Sequence, residues 1–396
     1  MDAPTPEHEL VDPKALAEAF GRRFGRRARV FFAPGRVNLI GAHLDYNGGP
    51  VLPLGVGRGT YVAVAPSGDG RCRLASRDLP GEFELDPSGR GEAEALGWAA
   101  YPVGVWKEMR SRGYEVGGFD LLVEGDLPRG GGLSSSASLE VATGTALAAL
   151  FGLELDPVTL AEVGHRAENG FVGVQCGIMD QFASALALEG HALHLDCRTR
   201  SWRHVPLGAA LEILILDSGK PRELVDSEFN RRVDQCREAL GRLRRVRPGP
   251  EHLAGFTLAE VEAARAELGD LLFRRARHVV TEVARTELAV RALEAGDLAL
   301  FGRLVRDSHE SSARDYEVSC EELDHLVAKV CEVDGVYGAR LTGAGFGGCV
   351  VALQRPGALG GEAREDLART YRETFGRELR ILRLEPGKAP RELPLR

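Results

Sequence analysis

The sequence has few lysines and few aromatic residues, and it lacks any long apolar run. Only five of its 50 basic residues are lysines, and the formal net charge is −8. Binding to nucleic acid needs a concentrated basic face, which this composition does not supply. The apolar stretches all fall short of the roughly 18 residues that a membrane-spanning helix needs. We therefore expect a protein that binds neither nucleic acid nor membrane.

Three further absences concern cysteine motifs, the N-terminus and a lysine-containing phosphate loop. The seven cysteines form neither a CxxC pair nor a Cys/His set at zinc-site spacing, which predicts reduced thiols in a cytoplasmic protein. The first thirteen residues lack the basic start and apolar run of a signal peptide. No lysine follows the glycine run at 130–132, so the G-x-x-x-x-G-K-[ST] phosphate loop is also missing.

The length of 396 residues favours two domains over a single core. The first half is rich in predicted strands, and the second is rich in helices with returning strands. We place the domains at 14–205 and 206–396. The pattern predicts strands at 28–33, 60–65, 119–124, 211–216, 337–341, 348–353 and 379–384. It predicts helices at 135–150, 157–169, most of 223–329 and 362–375.

Residues 34–49 read PGRVNLIGAHLDYNGG and bring Arg36, His43 and Asp45 into one turn-rich segment. The Asn47-Gly48 pair predicts a tight turn, because both residues tolerate a positive φ. Asp45 could bind a ligand or only cap its own backbone. Arg36 could serve a site or be an ordinary ion-pair partner.

Residues 127–138 read LPRGGGLSSSAS and predict a phosphate-binding loop. Gly130, Gly131 and Gly132 leave their backbone N–H groups open to a ligand. Ser134, Ser135 and Ser136 then open a helix, whose unpaired N–H groups and dipole favour an anion. The segment could instead be a flexible loop with a serine N-cap.

Two shorter segments add further candidates. Gly343 and Gly345 belong to a second glycine loop between two predicted strands, which is weak evidence alone. Asp180 follows Gly177-Ile-Met and could be an active-site acid or a helix-capping residue. Glu168 lies twelve positions earlier, before Asn-Gly.

In order along the chain, these segments resemble the motifs of the GHMP small-molecule kinases and, within them, of the galactokinases. The stretches 176–181, 227–232 and 315–320 also resemble galactokinase sequences. The resemblance implies an α/β (α+β) fold of two domains, an N-terminal mixed-sheet domain and a C-terminal ferredoxin-like domain. It implies ATP-dependent phosphorylation of the anomeric hydroxyl of galactose or a related sugar, with Mg²⁺, by a monomer.

The resemblance also implies a role for each candidate residue. Asp180 would be the catalytic carboxylate and Arg36 its neighbour, able to stabilise charge on the transferring phosphoryl group. The sugar would meet Ala42, His43, Asp45, Gly177 and Phe229. ATP would meet Gly130, Gly131, Gly132, Ser134, Ser135, Ser136, Gly343 and Gly345. Ser136 and Glu168 would hold the metal ion.

This chain departs from the galactokinase pattern at two positions of the sugar site. Ala42 stands where galactokinases normally have a Glu that contacts the C6 hydroxyl, and Phe229 stands where they have a Tyr. The substrate could therefore be galactose, galacturonate, L-arabinose or another sugar. The chain could also be a non-catalytic galactose sensor, although Leu-Ser-Ser-Ser-Ala at 133–137, part of which such sensors lose, is intact. A third alternative is a GHMP kinase for mevalonate or homoserine.

Overall fold

The structure is a computed structural model that describes residues 10–86, 88, 93–128, 131–221 and 225–395. Its strands are β1 (Arg29–Asn38), β2 (Pro50–Val51), β3 (Pro53–Pro66), β4 (Cys72–Ser76), β5 (Phe83–Leu85), β6 (Phe119–Gly125), β7 (His191–Asp196), β8 (Trp202–Pro206), β9 (Glu212–Asp217), β10 (Val336–Thr342), β11 (Cys349–Gln354), β12 (Arg380–Leu384) and β13 (Arg391–Leu393). Its helices are α1 (Pro13–Phe24), α2 (Ala93–Leu96), α3 (Ala100–Ser111), α4 (Ser135–Phe151), α5 (Pro157–Arg166), α6 (Met179–Ala185), α7 (Val225–Val246), α8 (Leu258–Ala263), α9 (Arg265–Glu294), α10 (Leu298–Ser311), α11 (Glu321–Val330) and α12 (Gly361–Phe375).

The first sheet is mixed, as predicted, with strand order β13-β1-β3-β6-β4-β5. The β4–β6 pair is parallel and the other pairs are antiparallel. Side chains alternate across β1, because successive strand residues point to opposite faces. Val30 packs with Leu16 and Phe20 of α1, whereas Phe31 belongs to the core that contains α3 and α4.

The second sheet is antiparallel, with strand order β10-β11-β9-β12. Along the chain its elements run β9, helices, β10, β11, α12 and β12, which is the ferredoxin-like βαββαβ arrangement. Helices cover both faces of β9: Ile213 and Ile215 pack in the core with α9 and α10, and Leu214 and Leu216 pack in the core with α11 and α12. This double burial explains the continuous apolar run predicted as a buried strand.

The last strand returns to the first half of the molecule. β13 pairs with β1, so a segment from the predicted second domain completes the first sheet. A third, small sheet has the order β2-β7-β8. The division at 205/206 stays a prediction.

One predicted strand end was wrong, and its correction places the site. The prediction ended the first strand at Pro34-Gly35, but β1 continues to Asn38 through a register shift between Pro34 and Arg36. A Cβ at Gly35 would lie 2.6 Å from the Leu133 carbonyl oxygen, so a glycine lets the segment at 133 approach. The Arg36 N–H donates to that same carbonyl at 3.0 Å.

The predicted turn at Asn47-Gly48 takes another form. Asp45–Asn47 is a 3-10 helix, and Gly48 ends it in the left-handed region at φ 71°. Asn47 keeps its helical backbone, and its side-chain amide donates to the His43 carbonyl at 2.8 Å.

Within the described ranges, no helix is both long and apolar enough to cross a membrane.

Candidate active site

A cleft of about 300 Å³ collects side chains from both halves of the chain. Most of the predicted site residues line it: Arg36, Ala42, His43, Asp45, Gly132, Ser134, Ser135, Ser136, Glu168, Gly177, Asp180, Phe229 and Gly343. The structure therefore brings the predicted sugar, phosphate and metal residues around one space.

Two of the predicted ATP residues, Gly131 and Gly345, do not line the cleft. Gly131 packs beside Pro128 and Cys349. A Cβ at Gly345, whose φ is 86°, would lie 2.1 Å from the Val318 carbonyl oxygen, so close packing explains this glycine. A direct contact of either glycine with ATP stays a prediction. Gly130 lies outside the described residues.

Arg36 and Asp180 form a two-pronged ion pair at the centre of the cleft. Arg36 Nε donates to Asp180 Oδ1 and Nη2 donates to Oδ2, each at 2.7 Å. The remaining Nη1 donates to the Gly132 carbonyl at 2.6 Å, so the guanidinium also holds the glycine loop. Asp180 lies in the first turn of α6, where a helix start favours negative charge.

Ser134 joins the helix start to the carboxylate. It occupies the N-cap position of α4 with a left-handed backbone at φ 56°. Its hydroxyl donates to Asp180 Oδ2 and accepts no capping hydrogen bond from the backbone of α4. A carboxylate offers about four lone-pair positions. Arg36 and Ser134 occupy three of them, which leaves one for a further donor.

The start of α4 has the features of an anion site. Its first turn reads Ser-Ser-Ala-Ser, without an acidic side chain. Ser135 is exposed, Ser136 is half-buried, and both line the cleft; they lie in the first turn of α4, whose N–H groups have no partner within the helix. The helix dipole adds partial positive charge at the same place.

His43 is held as a neutral side chain on the opposite side of the cleft. Burial, together with the positive charge of Arg340, lowers the pKa of His43 to about 3. Its Nδ1 lies 2.9 Å from the Tyr46 hydroxyl. Within the described part of the chain, buried Nε2 has no hydrogen-bond partner. The neutral ring thus has one buried nitrogen without a partner beside the cleft.

A hydrogen-bonded series continues from His43 into the interior. The Tyr46 hydroxyl lies 2.7 Å from the Tyr316 hydroxyl, which lies 3.0 Å from Cys236 Sγ. Neither Tyr316 nor Cys236 was a candidate in the sequence, because 270 positions separate Tyr316 from Tyr46.

Asp45 lines the cleft and also bonds to its own backbone, and its binding of a ligand stays a prediction. Burial, together with the charge of Asp180, raises the pKa of Asp45 to about 7, against bonds from its own backbone and the charge of Arg36. Its carboxylate packs against Gly177, where a Cβ would lie 2.0 Å from Oδ2. A glycine at 177 is therefore required for Asp45 to reach its position.

Both departures from the galactokinase pattern lie on the cleft wall. Ala42 is 3% exposed, and its methyl group contributes to the lining. Phe229 lies edge-on to Tyr46, with ring centroids 5.4 Å apart, and 6.0 Å from the His43 ring. The phenyl ring thus covers the His43 side of the cleft.

Buried acidic groups flank Asp180. Gln181 Nε2 donates to Glu140 at 2.9 Å and to Glu168 at 2.6 Å. Burial raises the pKa of both carboxyl groups, and neighbouring negative charge adds to the effect. Ser136 also hydrogen-bonds to Glu168. A cation near these oxygens would relieve the accumulated negative charge.

The donor set suits Mg²⁺ better than a metal held by protein side chains alone. Among the described residues, no cluster of three acidic, histidine or cysteine side chains could hold a metal ion. Mg²⁺ is usually bound by one or two carboxylates, waters and substrate phosphates. Ser136 at the start of α4 and the Glu168 side chain that it contacts fit that pattern.

A second cavity, which the sequence did not predict, adjoins the cleft. It has a volume of about 240 Å³ and shares Ser135 and Ser136 with the first. Trp98 and Tyr101, three positions apart, contribute aromatic surface to its wall. That aromatic spacing was the available signal, but nothing in the sequence linked it to the glycine loop.

Comparisons with known proteins agree with this geometry. The chain matches the galactokinase galactose-binding signature over residues 18–66, the GHMP kinases N terminal domain over 100–187, and the GHMP kinases C terminal model over 289–373. The galactokinase of Roseiflexus sp. (strain RS-1) is 41% identical over 375 residues, which cover 94% of this chain and 95% of that protein. The galactokinase of Lactiplantibacillus plantarum is 40% identical over 384 residues, which cover 96% and 99%.

Solved structures show the same similarity in three dimensions. The crystal structure of Lactococcus lactis galactokinase complexed with galactose matches with a TM-score of 0.90 at 37% identity, covering 96% of this chain and 99% of that one. The Methanococcus jannaschii mevalonate kinase matches with a TM-score of 0.64 at 19% identity, covering 91% and 98%. The second likeness shows a shared fold.

Proposed function

Since this chain belongs to the galactokinase family of the GHMP kinases, we propose that it transfers the terminal phosphoryl group of ATP to the anomeric hydroxyl of galactose or a closely related galacto-configured sugar. The observation that carries the proposal is the Arg36–Asp180 pair, which faces the start of α4 across one cleft. Intact Arg36, Asp180 and Ser134 contacts favour an enzyme over a sugar sensor.

The nucleotide would occupy the side of the cleft formed by α4. The N–H groups at 135 and 136 would donate hydrogen bonds to phosphate oxygens. The guanidinium of Arg36 would stabilise charge on the transferring phosphoryl group. The aromatic cavity beside Trp98 would take the base, because it adjoins the same serines. Mg²⁺, held through Ser136 and Glu168, would neutralise phosphate charge.

The sugar would occupy the side formed by residues 42–45. The free Nε2 of His43 and the carboxyl group of Asp45 would bind ring hydroxyls. The anomeric hydroxyl would then donate to the one open lone-pair position of Asp180. As transfer proceeds, Asp180 would accept the hydroxyl proton, a contribution of about 10²–10⁴-fold to rate.

A coupled assay of ADP release tests the proposal directly. The wild-type chain, with ATP and Mg²⁺, is compared on galactose, galacturonate, L-arabinose, glucose and mevalonate. We expect turnover on a galacto-configured sugar and none on glucose or mevalonate. If none of the three galacto-configured sugars gives ADP release, the proposal is refuted.

An Ala42→Glu variant in the same assay separates the candidate sugars. A Glu carboxylate about 4 Å from a C6 carboxylate would repel it by about 4 kcal/mol at an effective dielectric near 20. The variant should therefore turn over galactose in preference to galacturonate more strongly than the wild type does. An unchanged preference would contradict the role given to position 42. The cytoplasmic location and the monomeric state stay predictions.

A further inference from the structure

The backbone from Gly41 to His43, next to the proposed sugar-binding side chains, contains two residues with a positive φ. Gly41 has a φ of 93° and His43 a φ of 56°. Residues with a side chain rarely adopt the left-handed region, and they persist there only when surrounding contacts hold them. The Asn47 side chain holds the His43 carbonyl, but residues 41 and 42 need another support.

Glu282 of α9 supplies that support from the second half of the chain. Its Oε1 accepts the N–H groups of both Gly41 and Ala42, each at 3.0 Å. The carboxylate is fully buried and also accepts from Ser308 and Arg285. Burial alone would raise the pKa of Glu282, but the positive charges of Arg285 and Arg340 outweigh it and lower the pKa to about 2. The Glu282 carboxylate therefore stays ionised and remains a hydrogen-bond acceptor.

His278, one turn earlier on the same face of α9, holds the other side of the bend. Its Nε2 lies 3.1 Å from the Ala42 carbonyl and its Nδ1 lies 2.9 Å from the Ser311 hydroxyl. Burial lowers the pKa of His278, which favours the neutral ring. Because a carbonyl only accepts, Nε2 must carry the proton and Nδ1 must accept from Ser311.

We propose that His278 and Glu282 are positioning residues that hold the Gly41–His43 bend and thereby aim His43 and Asp45 at the sugar. The inference rests on the proposed function, because it assigns the sugar to this side of the cleft. Neither side chain lines the cleft, so each acts through the backbone that it binds. Among the described residues, the hydrogen bonds of His278 and Glu282 go to partners other than α4, so the nucleotide side should be independent.

The experiment measures both substrate constants in the full-length enzyme. Glu282→Ala removes the acceptor of two N–H groups. His278→Phe removes the donor but keeps a ring against Tyr316, whose centroid lies 4.4 Å away. Glu287→Ala is the matched control, because Glu287 lies on the same helix and contacts His194 instead of the bend. Galactose binding without ATP is measured by calorimetry, and thermal melting reports folding.

We expect Glu282→Ala to lower kcat/KM for galactose about 10²-fold, because a sugar misplaced by about 1 Å relative to Asp180 loses that much rate. KM for ATP should change less than about twofold. His278→Phe should lower kcat/KM for galactose about tenfold, because it removes a weaker hydrogen bond between two uncharged groups. Glu282→Gln should recover part of the loss, since its amide oxygen can still accept. Glu287→Ala should match the wild type.

Three outcomes would overturn the inference. They are unchanged galactose binding in folded Glu282→Ala, equal loss of both substrates, or a similar effect of Glu287→Ala. If Glu282→Ala does not fold, His278→Phe alone tests the inference. A loss in kcat/KM for galactose without a change in KM for ATP would support it, and an equal loss for both substrates would overturn it. A wild-type enzyme without activity on galacto-configured sugars would instead refute the proposed function.

Discussion

The two sides of the cleft are built in different ways. On the proposed phosphate side, residues 132–136 lie together at the start of one helix, and its backbone N–H groups would bind the phosphates. On the sugar side, His43 and Asp45 depend on Gly177, Tyr316 and Glu282, which are distant in sequence. A local motif can bind phosphate almost alone, whereas the sugar site needs the assembled fold.

The largest expected effect comes from Asp180, where the two sides meet. Asp180→Asn keeps the size of the side chain but removes the proton acceptor. We expect kcat to fall by at least about 10²-fold, because the general-base contribution is lost. ATP binding, measured by calorimetry, should remain close to that of the wild type. Near-normal turnover would remove Asp180 from the catalytic role.

A pair of glycine variants tests the independence of the two sides. Gly177→Ala would push a Cβ into Asp45, so kcat/KM for galactose should fall about 10²-fold with KM for ATP unchanged. Gly132→Ala would strain a backbone with φ 74°, so KM for ATP should rise about tenfold with galactose binding unchanged. Steady-state kinetics with each substrate varied in turn provides the measurement. Equal effects of either variant on both substrates would show that the two sides are coupled.

The smallest effect concerns pH. The pKa of Asp45 is raised to about 7, so the carboxyl group is largely protonated below that pH and ionised above it. An ionised acceptor binds sugar hydroxyls more strongly, so kcat/KM for galactose should rise about three- to tenfold from about pH 6 to about pH 8. The Asp45→Asn variant should lose this rise, and the pH dependence of ATP binding should be the same in both proteins.

The sequence predicted best what is local. The helix from 135 to 150, stopped at Gly152, and the apolar strand at 211–216 both follow from neighbouring residues, and both are present. The glycine–serine segment predicts an anion site without other parts of the chain; the structure places it on the cleft, and anion binding there stays a prediction. The pairing of Arg36 with Asp180, across 144 positions, was reached only through the resemblance to known kinases.

The rest depends on contacts that no local pattern encodes. His278 and Glu282 look like ordinary polar residues of an amphipathic helix until the fold places residues 41 and 42 against them. The β13 strand was not predicted, because its three residues become a strand only by pairing with β1. Likewise, the continuation of β1 beyond Gly35 reflects the approach of Leu133.

The most direct measurement is a crystal structure of the enzyme with galactose and a non-hydrolysable ATP analogue. We predict that the anomeric oxygen lies within about 3.2 Å of the Asp180 carboxylate, and that the analogue's phosphates bind the N–H groups at 135 and 136. A sugar whose anomeric oxygen lies away from Asp180, or phosphates bound away from the start of α4, would contradict the proposed phosphoryl transfer.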